Sequence, residues 1–391
     1  MASGTVISRV LGFVRAVLLA AMIGVTTDAA DAFGVANQLP NNVYAIIVGG
    51  VLNAVLVPQL VRAHSHTDGG RGYIDRLLTL AIVVFGSITI LATAAAPLLV
   101  QLYTSGWKPE LLALATAFAY WCLPQLFFYG IYSMLGEVLN SRSAFGPFMW
   151  APVLNNVVAL GGMVAYILIF GMDPTGDRAV SSWGTGQVTL LAATATAGVA
   201  AQALILFVSW RRIGLHFKFN FQWRGFGLRP ALKAASWTLA MVIVTQLAGL
   251  VQTAVASTAA TNRSSVAVAS IAAASIAWLI FMLPHSVVTV SVATAYFTKI
   301  SQHAHAGRLN ELKENVLAGL KTIGLVSLLA SAALIILAYP AARVFVGEYP
   351  ATVALGNVII ALMVGLLPFS FAFFLQKAFF ALEDTRTPFF I

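Results

Sequence analysis

Two arginines, Arg9 and Arg15, stand in the first apolar stretch of a chain in which charge is scarce. A guanidinium placed in hydrocarbon costs several kcal/mol on most scales, roughly 2.5–3.5 by insertion measurements, so it normally faces a water-filled cavity or a partner. Arg15 falls near the middle of that stretch. Arg9 lies about one turn in, where a long side chain can instead snorkel to the headgroups. The two are about 9 Å apart along a helix and about 120° apart around it. They converge on one ligand where the site is broad or the helix bends at Gly12. The planar, multidentate donors of arginine suit phosphate. Cavity-facing anion binding and interfacial snorkelling are therefore the two readings.

Further polar residues follow in and around the next apolar stretch. Asp28 and Asp31 stand where they can cap the second helix, whose dipole favours an acid there. The alternative is an ion pair with a span-one arginine. Asn37, Gln38, Asn41, Asn42, Asn53 and Gln59 then share one span with Pro40, Gly49, Gly50 and Pro58. Amides and glycines of this kind either hold helices together or line a cavity at a break, here at Pro40. His285 reads as a hydrogen-bonded packing residue or a proton relay. Lys321 reads as snorkelling, Glu137 as near water, and Gln246 and Gln252 as cavity-lining or helix-bridging.

The elements that position these residues are membrane spans. Sixty per cent of the 391 residues are hydrophobic and 9% are charged, against roughly 25% charged in soluble domains. Apolar stretches of about 20 residues, long enough to cross the hydrocarbon, recur throughout. Ten are drawn: 6–26, 33–61, 77–104, 111–139, 148–171, 186–210, 231–258, 266–298, 316–346 and 352–381. An eleventh starts near Pro388, which reads as a chain truncated at its C-terminal end. The expected fold is an all-α polytopic membrane protein with two pseudo-symmetric lobes around a central cavity.

Basic residues sit in alternate loops, fifteen on one side and four on the other. The positive-inside rule then puts the N-terminus in the cytoplasm. This placement, and not nucleic-acid binding, accounts for the net charge of +9. The segment 211–230 is basic and aromatic. It reads as a headgroup-lying linker, with a short strand as the alternative for the alternating Phe217, Phe219 and Phe221. Leu39-Pro40 and Leu283-Pro284 are separated by 244 residues, as are Leu123-Pro124 and Leu367-Pro368. That duplication divides the chain into a six-span lobe (1–210), the linker (211–230) and a second, incomplete lobe (231–391). Lobes of this kind bind substrate between them and alternate access.

The single cysteine, Cys122, excludes an internal disulfide and a cysteine metal cluster. Nucleotide-binding loops, dinucleotide fingerprints and hydrolase motifs are missing. No enzyme activity, cofactor or metal is expected.

The segment SRVLGFVR (8–15) resembles the opening of the MurJ/MviN lipid II flippases. The resemblance continues through DAF (31–33), LPN (39–41), the LN…F…P…AP…N pattern in 139–156 and EDTRTP (383–388). It implies a multi-pass protein of the bacterial plasma membrane that moves lipid II, the polyprenyl-diphosphate-linked peptidoglycan precursor, from the inner to the outer leaflet. It carries over Arg9, Arg15 and Asp31 as headgroup-binding candidates, and Asn41, Asn42 and Asn53 join them from the polar span. Implied partners are lipid II, membrane lipids and cell-wall synthesis proteins. Two departures make the cavity less cationic. The arginine often found just after LPN is replaced by Tyr44 and Ala45, and an Arg and a Glu before the span-eight proline by Leu279 and Met282. The competing functions are flipping of another polyprenyl-linked glycan, ion-coupled export of organic cations, and scaffolding of cell-wall enzymes.

Overall fold

The computed structural model describes residues 2–48, 71–142, 144–212, 217–222, 228–261, 268–384 and 386–390. Every regular element among them is helical. Among the described residues eight helices are long and apolar enough to cross a membrane, or nine with a helix pair bent by 43° taken as one span. These correspond to nine of the ten spans drawn from sequence. The second is helical over Asp28–Ile47, and its remainder lies outside the described residues.

The chain forms two compact units, Met1–Asn262 and Arg263–Ile391. The first contains α1 (Ala2–Ile23), α2 (Asp28–Ile47), α3 (Arg71–Ala94), α4 (Ala96–Tyr103), α5 (Pro109–Cys122), α6 (Gln125–Ser141), α7 (Phe145–Phe170), α8 (Thr185–Arg212) and α9 (Leu228–Thr261). Its core follows from helical spacing. Ile74, Leu77, Leu78, Ala81 and Phe85 make one face of α3 and meet Ile131, Met134, Leu135 and Val138 of α6, with Leu206 and Trp210 of α8. Small residues let these helices close. The Phe85 ring lies over Gly130, where a Cβ would come within 2.3 Å of it.

Helix α9 corresponds to the seventh span, which the lobe division assigns to the second half. In the structure it packs within the first unit. Its polar side chains find partners there: Gln246 Nε2 donates to the Asn42 carbonyl at 2.7 Å, and Ser257 Oγ accepts from the Ser105 N–H at 2.8 Å. The Trp107 indole donates to the Ser257 carbonyl at 3.0 Å. A polar group facing hydrocarbon must be satisfied by a neighbouring helix, and these neighbours are α2 and the 104–108 loop.

The second unit contains α10 (Ile271–Pro284), a π turn (His285–Thr289), α11 (Val290–His305), α12 (Leu309–Ile336), α13 (Ala338–Arg343), α14 (Tyr349–Val364), α15 (Leu366–Ala381) and the short α16 (Thr387–Phe390). The Phe374 ring fills the gap over Gly319 between α15 and α12. Asp384, in the EDTRTP motif, accepts from the N–H groups of Arg386 and Thr387, both at 2.9 Å. The Thr387 hydroxyl above all, then these N–H bonds, hold its carboxyl below the usual range.

The Leu-Pro pairs behave differently from one another. Leu123-Pro124 separates α5 from α6, Leu283-Pro284 leads into the π turn, and Leu367-Pro368 follows the bend at Gly365. Each fits the loss of a backbone donor at proline. At Leu39-Pro40, however, α2 runs on as helix to Ile47 with Pro40 buried inside it. Of the two readings of this span, the break at Pro40 is absent, and Asn37 bonds across to Gln125 of α6.

The linker also differs in part. Its described portion, 217–222, is neither helix nor strand. Alternate N–H groups, Lys218 and Asn220, donate to Asp75 Oδ1 (3.2 Å) and Thr79 Oγ1 (2.9 Å), one turn apart on α3. The alternation seen in sequence is used along a helix flank, not in a sheet.

At Gly198 of α8, a Cβ would stand 2.8 Å from the Asn155 carbonyl oxygen, whereas at Gly86 it meets open space. Gly198→Ala should lower stability by about 1–3 kcal/mol, and Gly86→Ala should not. Thermal unfolding of the two purified variants in detergent distinguishes them.

Candidate functional site

Helix α1 runs unbroken through Gly12 and lies against α7, where Asn156 Nδ2 donates to the Ser8 carbonyl at 2.9 Å. Without a bend, its two arginines part company. Arg9 is exposed near the start of the helix. Arg15 is half-buried in the interior, within electrostatic range of Tyr129 on α6 and Cys122 at the end of α5. Among the described residues Arg15 has no carboxylate partner.

Behind Tyr129 a chain of polar groups crosses four helices. Tyr129 Oη donates to Gln125 Oε1 at 3.1 Å. Gln125 Nε2 donates to Asn37 Oδ1 of α2 at 3.2 Å and to Thr196 Oγ1 of α8 at 3.1 Å. Thr196 Oγ1 in turn donates to the Trp121 carbonyl at 2.7 Å, one of those that the α5–α6 break leaves without a helical partner. The break is what brings Gln125, only 1% exposed, to the crossing. Tyr44 packs beside this group, its ring 5.6 Å from that of Tyr129. An aromatic hydroxyl thus occupies the place after LPN where a cation was the expectation of the resemblance.

The other sequence-derived candidates are placed as follows. Thr27 is the N-cap of α2, accepting from the Ala30 N–H at 3.1 Å. Asp28 and Asp31 lie in the first helical turn, where the dipole favours them, and neither is the cap. Asp31 is fully buried and is not among the groups acting on Arg15. Asn41 is exposed. Asn42 bridges helices through its carbonyl, which accepts from Gln246. Asn53 lies outside the described residues. His285 is 2% exposed, 3.2 Å from Ser370 Oγ and edge-on to Phe369 and Phe373, the environment of a packing residue.

The structure therefore brings Arg15 together with Tyr129, and joins Tyr129 through Gln125 to Asn37 and Thr196. Arg9 and Asn41 are exposed, and Asp31 is buried in the first turn of α2. Gln125 and Tyr129 escaped the sequence reading. The available signal was an amide directly behind a mid-span Leu-Pro.

Comparison with known proteins agrees with this architecture. A family model described as "Lipid II flippase MurJ" matches residues 19–391. The chain belongs to that family. A "Probable lipid II flippase MurJ" of Rhizobium meliloti is 27% identical over 399 residues, spanning 97% of this chain and 69% of the relative. One from Haemophilus influenzae is 26% identical over 418 residues, spanning 98% and 75%. The fold matches the solved "Lipid II flippase MurJ, inward closed conformation" at a TM-score of 0.77, with 20% identity over 99% of this chain and 77% of that one. The family match begins after Arg9 and Arg15, so their roles rest on the SRVLGFVR resemblance and on geometry.

Gln125→Leu removes the donor to Asn37 and Thr196 and should destabilise the first unit by about 1–3 kcal/mol. Tyr129→Phe removes one donor and should cost about 0.5–1.5 kcal/mol. Denaturant unfolding of the purified proteins checks the order.

Proposed function

We propose that this multi-pass membrane protein translocates lipid II, with Arg15 engaging the diphosphate of the headgroup. The carrying observation is a guanidinium set deep in a span with no carboxylate partner among the described residues. Family membership supports the cargo, since the relatives are named for lipid II flipping. Such a cation, beside neutral hydroxyl and amide groups, suits a doubly charged phosphate ester. The chemistry asked of the protein is binding and release, not bond breaking.

In this reading the protein alternates access to the headgroup while the prenyl tail stays in lipid. The N-terminus faces the bacterial cytoplasm, in line with fifteen basic loop residues on that side against four. Arg9, near the cytoplasmic end, meets the headgroup on entry. Asp31, Asn41, Asn42 and Asn53 remain candidates for its sugar and peptide groups. Export of organic cations is disfavoured because the deep charge of the first span is basic, whereas a cation site calls for acids.

Arg15→Ala should abolish complementation of a flippase-depleted strain at normal expression, with lipid II retained in the inner leaflet. Growth at the wild-type rate would remove Arg15 from the site. Arg9→Lys should be milder than Arg9→Ala in the same assay, because entry needs charge more than bidentate geometry.

A further inference from the structure

We propose that the first unit carries, apart from the Arg15 region, a binding site for a glycerophospholipid with an ammonium headgroup. A cavity of about 510 Å³ lies between α5, the 3-10 turn Val180–Ser182 and the start of α8. Its volume is in the range of small-molecule sites. Glu110, Leu114, Ala117 and Trp121 line it from one face of α5. From Glu110 to Trp121 the stripe descends about 16 Å, close to one leaflet's share of a hydrocarbon layer roughly 30 Å thick. The long dimension therefore suits an acyl chain lying along the helix.

The mouth is where polarity gathers. Glu110 stands exposed in the first turn of α5. Across the cavity, the Trp183 ring lines the wall, and its buried N–H has no acceptor among the described residues. The Arg178 guanidinium lies over that ring, 5.8 Å from its centroid. It is fixed by the Tyr166 hydroxyl at 3.0 Å and the Phe170 carbonyl at 2.9 Å, both neutral acceptors. An acid and an unpaired indole N–H thus stand on the walls of an apolar groove, with the Arg178 guanidinium held against the Trp183 ring. A zwitterionic headgroup suits these groups: its ammonium meets Glu110, and its phosphate end faces Trp183. An ester or phosphate oxygen is also the kind of acceptor that the Trp183 N–H lacks, and a buried donor left unpaired is costly. An anionic headgroup without an ammonium would set its phosphate against Glu110 with nothing to offset it.

The orientation proposed above assigns this site to the outer leaflet. Only the name of the leaflet rests on that reading.

Native mass spectrometry of the delipidated, full chain tests the proposal. Palmitoyl-oleoyl-phosphatidylethanolamine and palmitoyl-oleoyl-phosphatidylglycerol are supplied as competing probes. The ethanolamine lipid should be retained about tenfold or more over the glycerol lipid, the scale of one hydrogen bond to a charged group. Glu110→Gln should abolish that preference, and Ala117→Trp, which fills the groove, should lower retention of both. Equal retention of the two lipids, preference for the glycerol lipid, or a preference that survives Glu110→Gln would overturn the proposal. Failure of lipid II transport with the preference intact would overturn the proposed function and leave this site standing.

Discussion

A cation inside hydrocarbon needs something to answer its charge, and that requirement organises the first unit. Arg15 sits on an apolar helix, beside a tyrosine and a cysteine, with no acid partner among the described residues. Neutral dipoles soften the cost of such a charge but do not cancel it. A guanidinium left in this state gains most from an anionic ligand, because the interaction is strongest where water is scarce. The same scarcity sets the demands on its surroundings. Tyr129 is held by Gln125, and Gln125 by Asn37 and Thr196. The side chain facing the cation is therefore oriented through two other helices, α2 and α8.

Lipid gives little hydrophobic drive for helices to associate, so close packing and hydrogen bonds must do it. Both devices recur in each unit. Aromatic rings lie over glycines at Gly130, Gly319 and Gly356. Amides and hydroxyls bond between helices at Asn155–Gln202, Asn42–Gln246 and Ser331–Met363. Breaks in the spans serve the same end. The one at Leu123-Pro124 frees the Trp121 carbonyl, which Thr196 then satisfies.

Apolar length was the clearest signal in the sequence, because every spanning helix must be long and uncharged. Arg15 was legible for the converse reason: a charge at such a place has few uses. What sequence could not weigh was competition among polar groups. The cap of α2 is Thr27 and not an aspartate, because the hydroxyl reaches the Ala30 N–H from just outside the helix. At Pro40 a break and a helix-bridging span were equally open readings, and α2 is continuous through it. Gln125 and Tyr129 gave no pattern of their own; their role comes from helices distant in sequence. The seventh span's place in the first unit likewise depends on Gln246 and Ser257 meeting partners more than a hundred residues away.

Equilibrium binding of lipid II to the purified wild-type chain and to Arg15→Gln, in one detergent at one ionic strength, reaches the central claim most directly. Glutamine keeps much of the side-chain length and removes the charge. The account predicts affinity weaker by roughly 10- to 100-fold, the worth of a charge-assisted hydrogen bond, with the thermal unfolding temperature nearly unchanged. Equal affinity for the two proteins would contradict it.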